Sequence, residues 1–278
     1  IPPSNILIVY AIASGGVSIA ALFMAGYIPG IMVGLALMMV CYGYAKIKGY
    51  PLAPRLPLSV VFKKVLQAIP SLFLIILVIG GIVGGIFTPT EAGAIAVVYA
   101  LLLAVVFYKE VALNALPGIM LKAAETTAIV MLLIAASTAM SWLLSFENIP
   151  QTLSNALLTV SDNPLLILLL INLLLIVVGA FLDMTPAVLI FTPIFLPVAM
   201  QLGMSELQFG IMLVLNLSIG LCSPPVGAVL FITCAIAKTK LENIIKPLLP
   251  LYAAMFVVLM LITYVDWFSE ALPRALGF

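Results

Sequence analysis

Five uninterrupted apolar runs dominate the sequence, and each is about as long as a lipid bilayer is thick. They cover residues 20–45, 69–87, 92–108, 126–145 and 247–265. A helix needs roughly 20 apolar residues to cross the hydrocarbon core, and continuous runs indicate helices because barrel strands alternate apolar and polar residues. With 65% hydrophobic and only 8% charged residues, the chain could not cover a soluble globule with polar side chains. The sequence therefore predicts an all-α membrane protein whose solvent is the lipid bilayer.

The composition also excludes several classes of function. A net charge of +1, with eleven scattered basic residues, offers no phosphate-binding patch, so no nucleic-acid partner is expected. The absence of histidine removes His-dependent catalysis and most transition-metal sites. The cysteines Cys41, Cys222 and Cys234 lie in apolar runs and are interpreted as small buried hydrophobic residues. We expect no enzyme activity, since an intramembrane aspartyl protease would need a second carboxylate beside Asp183.

Two further apolar segments contain residues that break helices. Residues 164–200 are interrupted by Asp183, Pro186, Pro193 and Pro197, and residues 208–237 include the adjacent prolines Pro224 and Pro225. Adjacent prolines unwind a helix locally, and backbone freed in this way at membrane depth must be buried in protein or line a cavity. These breaks predict a re-entrant hairpin over 164–200, with two full spans as the alternative, and a broken helix over 208–237. Two short amphipathic stretches, 56–66 and 149–160, suit helices in the plane of the interface or ordinary loop helices.

The basic residues predict the orientation of the chain. If the segment from Lys46 to Lys64 is cytoplasmic, counting spans forward places 109–125 and 238–246 in the cytoplasm as well. Ten of the eleven basic residues then lie on that side, and only Arg274 falls outside. This distribution agrees with the positive-inside rule and puts the C-terminus outside.

An internal repeat links the two ends of the sequence. Pro2-Pro3 and Pro224-Pro225 are each followed by a short apolar stretch, a polar break and a long span, and Pro29 follows Pro3 by 26 residues as Pro250 follows Pro225 by 25. On the predicted orientation the two copies are inverted, which is typical of secondary transporters with broken helices near the midplane. A complete first copy would need an upstream segment, and the chain begins with Ile1 rather than methionine, so we expect a longer natural polypeptide.

Asp183 is the only acidic residue inside an apolar run. Since a charge at membrane depth costs at least ~2.5 kcal/mol and no Lys or Arg lies in a membrane run, a bound Na⁺ is the expected counter-ion, and no other cofactor is expected. Hard oxygen ligands from backbone, hydroxyl and carboxylate groups suit Na⁺ better than soft metals. The alternative is that Asp183 caps the following helix. The candidate sodium-binding residues are Gly179, Asp183, Thr185, Cys222, Ser223, Pro224 and Gly227, with Pro3, Ser4 and Asn5 as the half-site of the other repeat. The candidate substrate-binding residues are Pro186, Pro225 and Ser4, because helix ends that open after the prolines would attract an anion.

Three other polar positions have structural interpretations. Thr90 is predicted as the N-cap of the helix that contains Glu91. Asn172 and Asn216 lie within apolar segments, where they are expected to bridge helices by hydrogen bonds.

Several ordered motifs together resemble the large membrane subunit of tripartite ATP-independent periplasmic (TRAP) transporters, in its C-terminal part. These are Ile1-Pro2-Pro3-Ser4, Ala25 to Gly30, Thr88 to Gly93, Gly179 to Pro186 and Asn216 to Gly227, which cover essentially the whole chain. The resemblance implies a bacterial inner-membrane importer that couples Na⁺ to an organic acid anion, such as a C4-dicarboxylate or sialic acid. It also implies two partners, a small four-helix membrane subunit (possibly fused upstream) and a periplasmic substrate-binding protein.

The resemblance further implies an elevator mechanism, in which a transport domain of hairpins and broken helices slides against a scaffold. Asp183, Thr185, Ser223 and Gly227 would surround one ion, and Pro2 to Asn5 would lie beside another. The family's first hairpin, with its Ser-Gly-Ser tip, is absent from this sequence. An ion channel or a Na⁺/dicarboxylate symporter without a binding protein stays open as an alternative.

The expected organisation follows from these elements. It comprises the end of the first broken helix (1–22), a spanning helix with an interfacial arm (23–68), scaffold helices (69–145), an interfacial helix (146–163), the hairpin and second broken helix (164–238), and the last span with the C-terminus (239–278).

Overall fold

The computed structural model describes residues 1–50, 57–149, 152, 156, 163–224, 227–236 and 238–278, and within these residues the regular structure is entirely helical. The α-helices are α1 (Asn5–Ala13), α2 (Ile19–Lys48), α3 (Leu58–Val83), α4 (Pro89–Leu101), α5 (Leu116–Phe146), α6 (Pro164–Phe181), α7 (Met184–Gln201), α8 (Glu206–Leu221), α9 (Ala228–Ile236), α10 (Leu241–Tyr264) and α11 (Trp267–Leu276). A π-helical segment, Leu102–Phe107, extends α4, and a 3₁₀ turn, Leu113–Ala115, precedes α5.

The five apolar runs form helices, as predicted, in α2, α3, the extended α4, α5 and α10. Across the described residues, seven helices are long and apolar enough to cross a membrane, and α6 and α7 are the other two. The chain is therefore an all-α, multi-pass membrane protein. Helix α7 begins directly after Asp183 and has 18 residues, which is long enough to cross a membrane by length and composition. Pro186 lies in its first turn, where a missing N–H is tolerated. A length of roughly 27 Å suits either a hairpin arm or a span.

The structure corrects the prediction of a separate helix in the interface plane over 56–66. Helix α3 instead runs without interruption from Leu58 past Pro70 to Val83. A single proline removes only its own backbone donor, and tyrosine hydroxyls supply donors nearby: Tyr99 donates to the Pro70 carbonyl at 2.8 Å and Tyr108 to the Gln67 carbonyl at 3.2 Å. The other amphipathic helix, predicted over 149–160, lies largely outside the described residues.

The predicted N-cap of α4 is also corrected, because the helix is capped by Thr88 rather than Thr90. Pro89 occupies the first helical position, where its fixed φ suits the helix and its missing N–H is not needed. The Thr88 hydroxyl accepts from the Glu91 N–H at 3.3 Å, and the Glu91 carboxylate accepts from the Thr88 N–H at 2.8 Å. This reciprocal pair is a capping box. Glu91 lies in the first turn, as the sequence indicated, and the N-cap stands two residues earlier than expected.

The described chain divides into two compact units. Unit 2 covers Lys46–Ile129, and within it the rings of Phe73 and Tyr99 pack at 6.1 Å between α3 and α4. Unit 1 covers Ile1–Ala45 and Val130–Phe278 and holds every candidate site residue that the structure describes. Its centre is α8, which buries Phe209, Met212, Leu213 and Leu217 completely.

The closest helix pair in unit 1 is α6 with α8. A Cβ atom added to Gly220 would lie 2.6 Å from the carbonyl carbon of Gly179 and 2.9 Å from the carbonyl oxygen of Ile176. Small residues allow this backbone approach between membrane helices. Because Asn172 meets Asn216 and Gly179 meets Gly220, α6 and α8 run in the same direction.

Helices α1 and α10 run opposite to α8. The Tyr10 hydroxyl, near the end of α1, donates to the Glu206 carbonyl at the start of α8 at 2.7 Å, while the start of α1 lies beside Ser218. Gln208 donates to the Ile262 carbonyl near the end of α10 at 2.9 Å. The repeat is matched in secondary structure, since α1 and α9 each have nine residues and each precedes a long helix with an internal proline, Pro29 or Pro250.

A methyl group at the α6–α8 contact is expected to destabilise unit 1. In Gly220→Ala the new Cβ meets backbone atoms of Gly179 that cannot rotate away, so we expect a loss of about 1–3 kcal/mol. Thermal unfolding of the detergent-purified protein measures this change. The matched control is Gly34→Ala in α2, where an added Cβ meets nothing within 4 Å. We expect the control to be neutral or slightly stabilising, and equal stability of the two variants would contradict the prediction.

Candidate functional site

The turn between α6 and α7 contains Asp183. Its backbone occupies the N-cap position of α7, as the alternative interpretation predicts, and its carbonyl accepts from the Ala187 N–H at 3.2 Å. Its side chain, however, makes no capping hydrogen bond to the first turn and is exposed. Helix capping therefore does not occupy this carboxylate. Thr185 and Pro186, the second and third residues of α7, are half-buried beside it in sequence.

The predicted helix break after Leu221 is confirmed, because α8 ends there and α9 begins only at Ala228. Pro224 and Pro225 carry no N–H, so the carbonyls of Gly220 and Leu221, four residues earlier, lose their helical donors. The Gly220 carbonyl accepts instead from the Ser223 N–H at 2.8 Å. Pro225 itself lies outside the described residues.

Gly227 closes this break against backbone oxygens. Its N–H donates to the Ser223 carbonyl at 3.0 Å. A Cβ at this position would lie 2.5 Å from the Ser223 carbonyl oxygen and 2.9 Å from that of Leu221. The chain thus needs a glycine here, and two carbonyl oxygens converge on the same small volume.

Two further groups among the described residues of the break are hydrogen-bonded. The Ser223 hydroxyl donates to the Ile219 carbonyl at 2.6 Å, which leaves its oxygen lone pairs as acceptors. The Cys222 carbonyl accepts from the Tyr252 hydroxyl of α10. The peptide units of the break are therefore held in defined orientations.

The N-terminal half-site lies against α8, the helix that ends at this break. Pro2 is buried, with its ring 3.1 Å from where a Cβ on Gly26 would stand. Ser4 is the N-cap of α1 and makes no side-chain capping bond. Ser4 and Ser218 line one cavity of about 110 Å³ between α1, α2 and α8. Pro3 and Asn5 are exposed.

Four helix ends meet at one level of unit 1. The C-terminal ends of α6 and α8 lie there, because Gly179 contacts Gly220. The N-terminal ends of α1 and α7 lie there as well, because Ser4 lines a cavity with Ser218 and Met184 follows the end of α6 by a short turn. Helix C-termini present carbonyl oxygens with partial negative charge, and N-termini present N–H groups with partial positive charge. One level therefore offers groups of both polarities.

Sequence reasoning missed three contributors to this arrangement. Gly220 and Leu221 could have been found, because a proline deprives the carbonyl four residues before it of a donor. Tyr252 lies 30 residues from Cys222 in sequence, and no local pattern indicates their contact. Within the described residues there is no cluster of three or more His, Cys, Asp or Glu side chains that could hold a metal ion, so the polar groups found at this level are backbone groups, hydroxyls and the Asp183 carboxylate.

A buried amide network holds the site helices together. Asn216 donates to the side-chain oxygen of Asn172 at 2.8 Å and to its backbone carbonyl at 3.0 Å. Asn172 in turn donates to the Thr263 hydroxyl of α10 at 3.2 Å, and both asparagines are fully buried. The predicted bridging role is confirmed, and it ties α6, α8 and α10 into one body.

Comparison with known proteins identifies relatives over nearly the whole chain. Residues 1–268 match the family described as "Tripartite ATP-independent periplasmic transporter, DctM component". The chain is 50% identical to the "uncharacterized protein YgiK" of Salmonella typhimurium, over 98% of this chain and 62% of that protein. It is 38% identical to the C4-dicarboxylate TRAP transporter large permease protein DctM of Pseudomonas aeruginosa, over 100% of this chain and 65% of that protein.

A third relative, the sialic acid TRAP transporter large permease protein SiaM of Vibrio cholerae, is also 38% identical, over 99% of this chain and 64% of that protein. The chain thus spans between three fifths and two thirds of the length of these relatives.

Breaking the amide network is expected to destabilise the helix bundle non-additively. Asn172→Leu or Asn216→Leu alone leaves a buried partner group without its bond, and each should cost about 0.5–2 kcal/mol. The double variant should cost less than the sum, because no partner is left unsatisfied. Denaturant unfolding in detergent micelles measures the cycle, with Asn243→Leu on the exposed surface of α10 as control. Strict additivity would show that the two amides do not interact.

Proposed function

This chain belongs to the DctM component family of tripartite ATP-independent periplasmic transporters, and we propose that it forms part of a sodium-coupled importer of an organic acid anion. The importer works in the bacterial inner membrane, and a periplasmic binding protein delivers its substrate. The observation that carries the proposal is the meeting of helix C-termini and N-termini at one level of unit 1. Such a level can hold a cation and an anion together, which coupled transport requires.

The cation side of the site fits sodium. Carbonyl oxygens converge at Leu221 and Ser223, and the Asp183 carboxylate is not used to cap its helix. Hydroxyls of Ser223 and Thr185 and the backbone near Gly179, Cys222, Pro224 and Gly227 complete the candidate set. Neutral oxygens with a single carboxylate suit a monovalent hard cation, because divalent ions usually take more carboxylates. Pro3, Ser4 and Asn5 form the corresponding half-site of the first repeat.

The anion side of the site depends on helix dipoles. The first turns of α1 and α7 direct backbone N–H groups to the shared level, near Ser4 and Pro186, and helix N-termini bind carboxylates and other anions without a basic side chain. The two relatives named for a C4-dicarboxylate and for sialic acid have the same 38% identity. Overall identity therefore favours neither substrate, and the proposed class is the one they share, organic acid anions.

The packing directions support an elevator of inverted repeats. Helix α1, the first copy's short helix, runs opposite to α8, which leads into the second copy's break. Hydrogen bonds from Gln208, Tyr252 and Tyr264 join α10 to α6 and α8, so we assign α10 to the moving domain. The proposed partners are the small four-helix membrane subunit and the periplasmic binding protein. The excess of Lys and Arg in the predicted cytoplasmic segments supports a periplasmic C-terminus.

Neutralising Asp183 is expected to abolish sodium coupling. In Asp183→Asn the ion loses its charged ligand. Because Asp183 is the one carboxylate in the candidate set, its loss should weaken sodium binding, and sodium-dependent uptake should fall at least about 10-fold, which corresponds to about 1.4 kcal/mol. The measurement is uptake of radiolabelled C4-dicarboxylate and sialic acid into proteoliposomes that contain the complete transporter with its binding protein. The control variant is Glu242→Gln, an exposed carboxylate in the first turn of α10.

Two results would contradict the proposal. Wild-type uptake that persists unchanged when the sodium gradient is replaced by choline would remove sodium coupling. Wild-type uptake without any binding protein would instead favour the alternative, a Na⁺/dicarboxylate symporter that works without a binding protein.

A further inference from the structure

Tyr252 joins the broken helix to the long helix that follows it. Its hydroxyl, on the α10 side facing α8, donates to the carbonyl of Cys222, the first residue after α8 ends. The side chain is half-buried in unit 1. Helix α10, which carries Tyr252, is also held against α8 near its C-terminal end, where Gln208 donates to the Ile262 carbonyl.

This hydrogen bond completes the restraint of one peptide unit. The Cys222 carbonyl and the Ser223 N–H belong to the same planar group. Tyr252 holds the carbonyl, and the Gly220 carbonyl accepts from the Ser223 N–H at 2.8 Å. With both sides held, rotation of this plane would break a hydrogen bond on each side, and the plane lies between the peptide units that carry the Leu221 and Ser223 oxygens.

We propose that Tyr252 is a positioning residue that sets the sodium affinity of the second-repeat half-site. This inference rests on the proposed sodium-coupled function. Without the hydroxyl, the Ser223 N–H bond to Gly220 still holds one side of the 222–223 peptide, but the Cys222 carbonyl loses its restraint, so this part of the break is less ordered before the ion binds. Preorganised ligands bind more tightly because less ordering accompanies binding.

The matched control lies on the same helix. Tyr264 also donates its hydroxyl to a backbone carbonyl, that of Leu165, at 2.8 Å, but at the opposite end of the α6–α8 pair. Tyr252→Phe and Tyr264→Phe each remove one oxygen and one tyrosine–carbonyl hydrogen bond. Both variants keep the aromatic ring, so general packing is preserved.

The experiment compares the sodium dependence of both variants in the complete transporter. Thermal unfolding is measured over a sodium titration at constant ionic strength with choline, since an ion that binds the folded state raises its stability. Uptake in proteoliposomes is measured over the same titration at saturating substrate and binding protein. We expect Tyr252→Phe to raise the half-saturating sodium concentration about 2- to 10-fold, the range of one net hydrogen bond. Maximal uptake and the substrate KM at saturating sodium should stay near wild type, and Tyr264→Phe should leave the sodium dependence unchanged.

The possible failures are distinguishable. Equal sodium dependence of Tyr252→Phe and the wild type would overturn the positioning role, as would equal shifts in both variants, which would indicate a general structural effect. A wild type with no sodium dependence in either measurement would instead overturn the proposed function.

Discussion

The direct backbone contact between Gly179 and Gly220 is the constraint on which the rest of unit 1 depends. Because neither residue has a side chain, α6 and α8 approach more closely than any pair with Cβ atoms could. The contact lies within four residues of the end of each helix, so the two helices end at the same level. The α6–α7 turn with Asp183 and the break after Leu221 are brought to one level as a consequence. The amide network of Asn172 and Asn216 secures the same pair two turns away.

This arrangement explains how a chain with so little charge can handle ions. Only 8% of the residues are charged, and a basic or acidic cluster at membrane depth would be costly. Helix termini avoid that cost, because their unpaired carbonyl and N–H groups carry partial charges on a neutral backbone. Prolines place these termini inside the apolar segments. The one carboxylate at this level, Asp183, adds the full charge that neutral carbonyls lack.

Sequence patterns located the elements well where a single physical rule governs them. Runs of about 20 apolar residues identified five helices, and adjacent prolines identified the break at 222–227. Predictions were wrong where neighbouring elements contribute. Helix α3 is continuous from Leu58 to Val83 and receives hydrogen bonds from Tyr99 and Tyr108 near Pro70, and Thr88 rather than Thr90 caps α4, with Pro89 at the first helical position. Asp183 was expected either to cap α7 or to bind an ion. Its backbone is at the cap position while its side chain makes no capping bond.

The sequence by itself determined that the chain is a bundle of membrane helices, which segments cannot remain helical, and that the segments after the two proline pairs repeat one pattern. These properties follow from local chemistry: hydrophobic length, missing N–H groups and the spacing of prolines. Only the tertiary structure decided which interruptions meet, that α1 runs against α8, and that Tyr252 holds the Cys222 carbonyl at the break. The physical reason is that these facts depend on helix direction and on contacts between residues far apart in sequence, such as Tyr252 with Cys222 and Tyr10 with Glu206. No local pattern encodes such contacts.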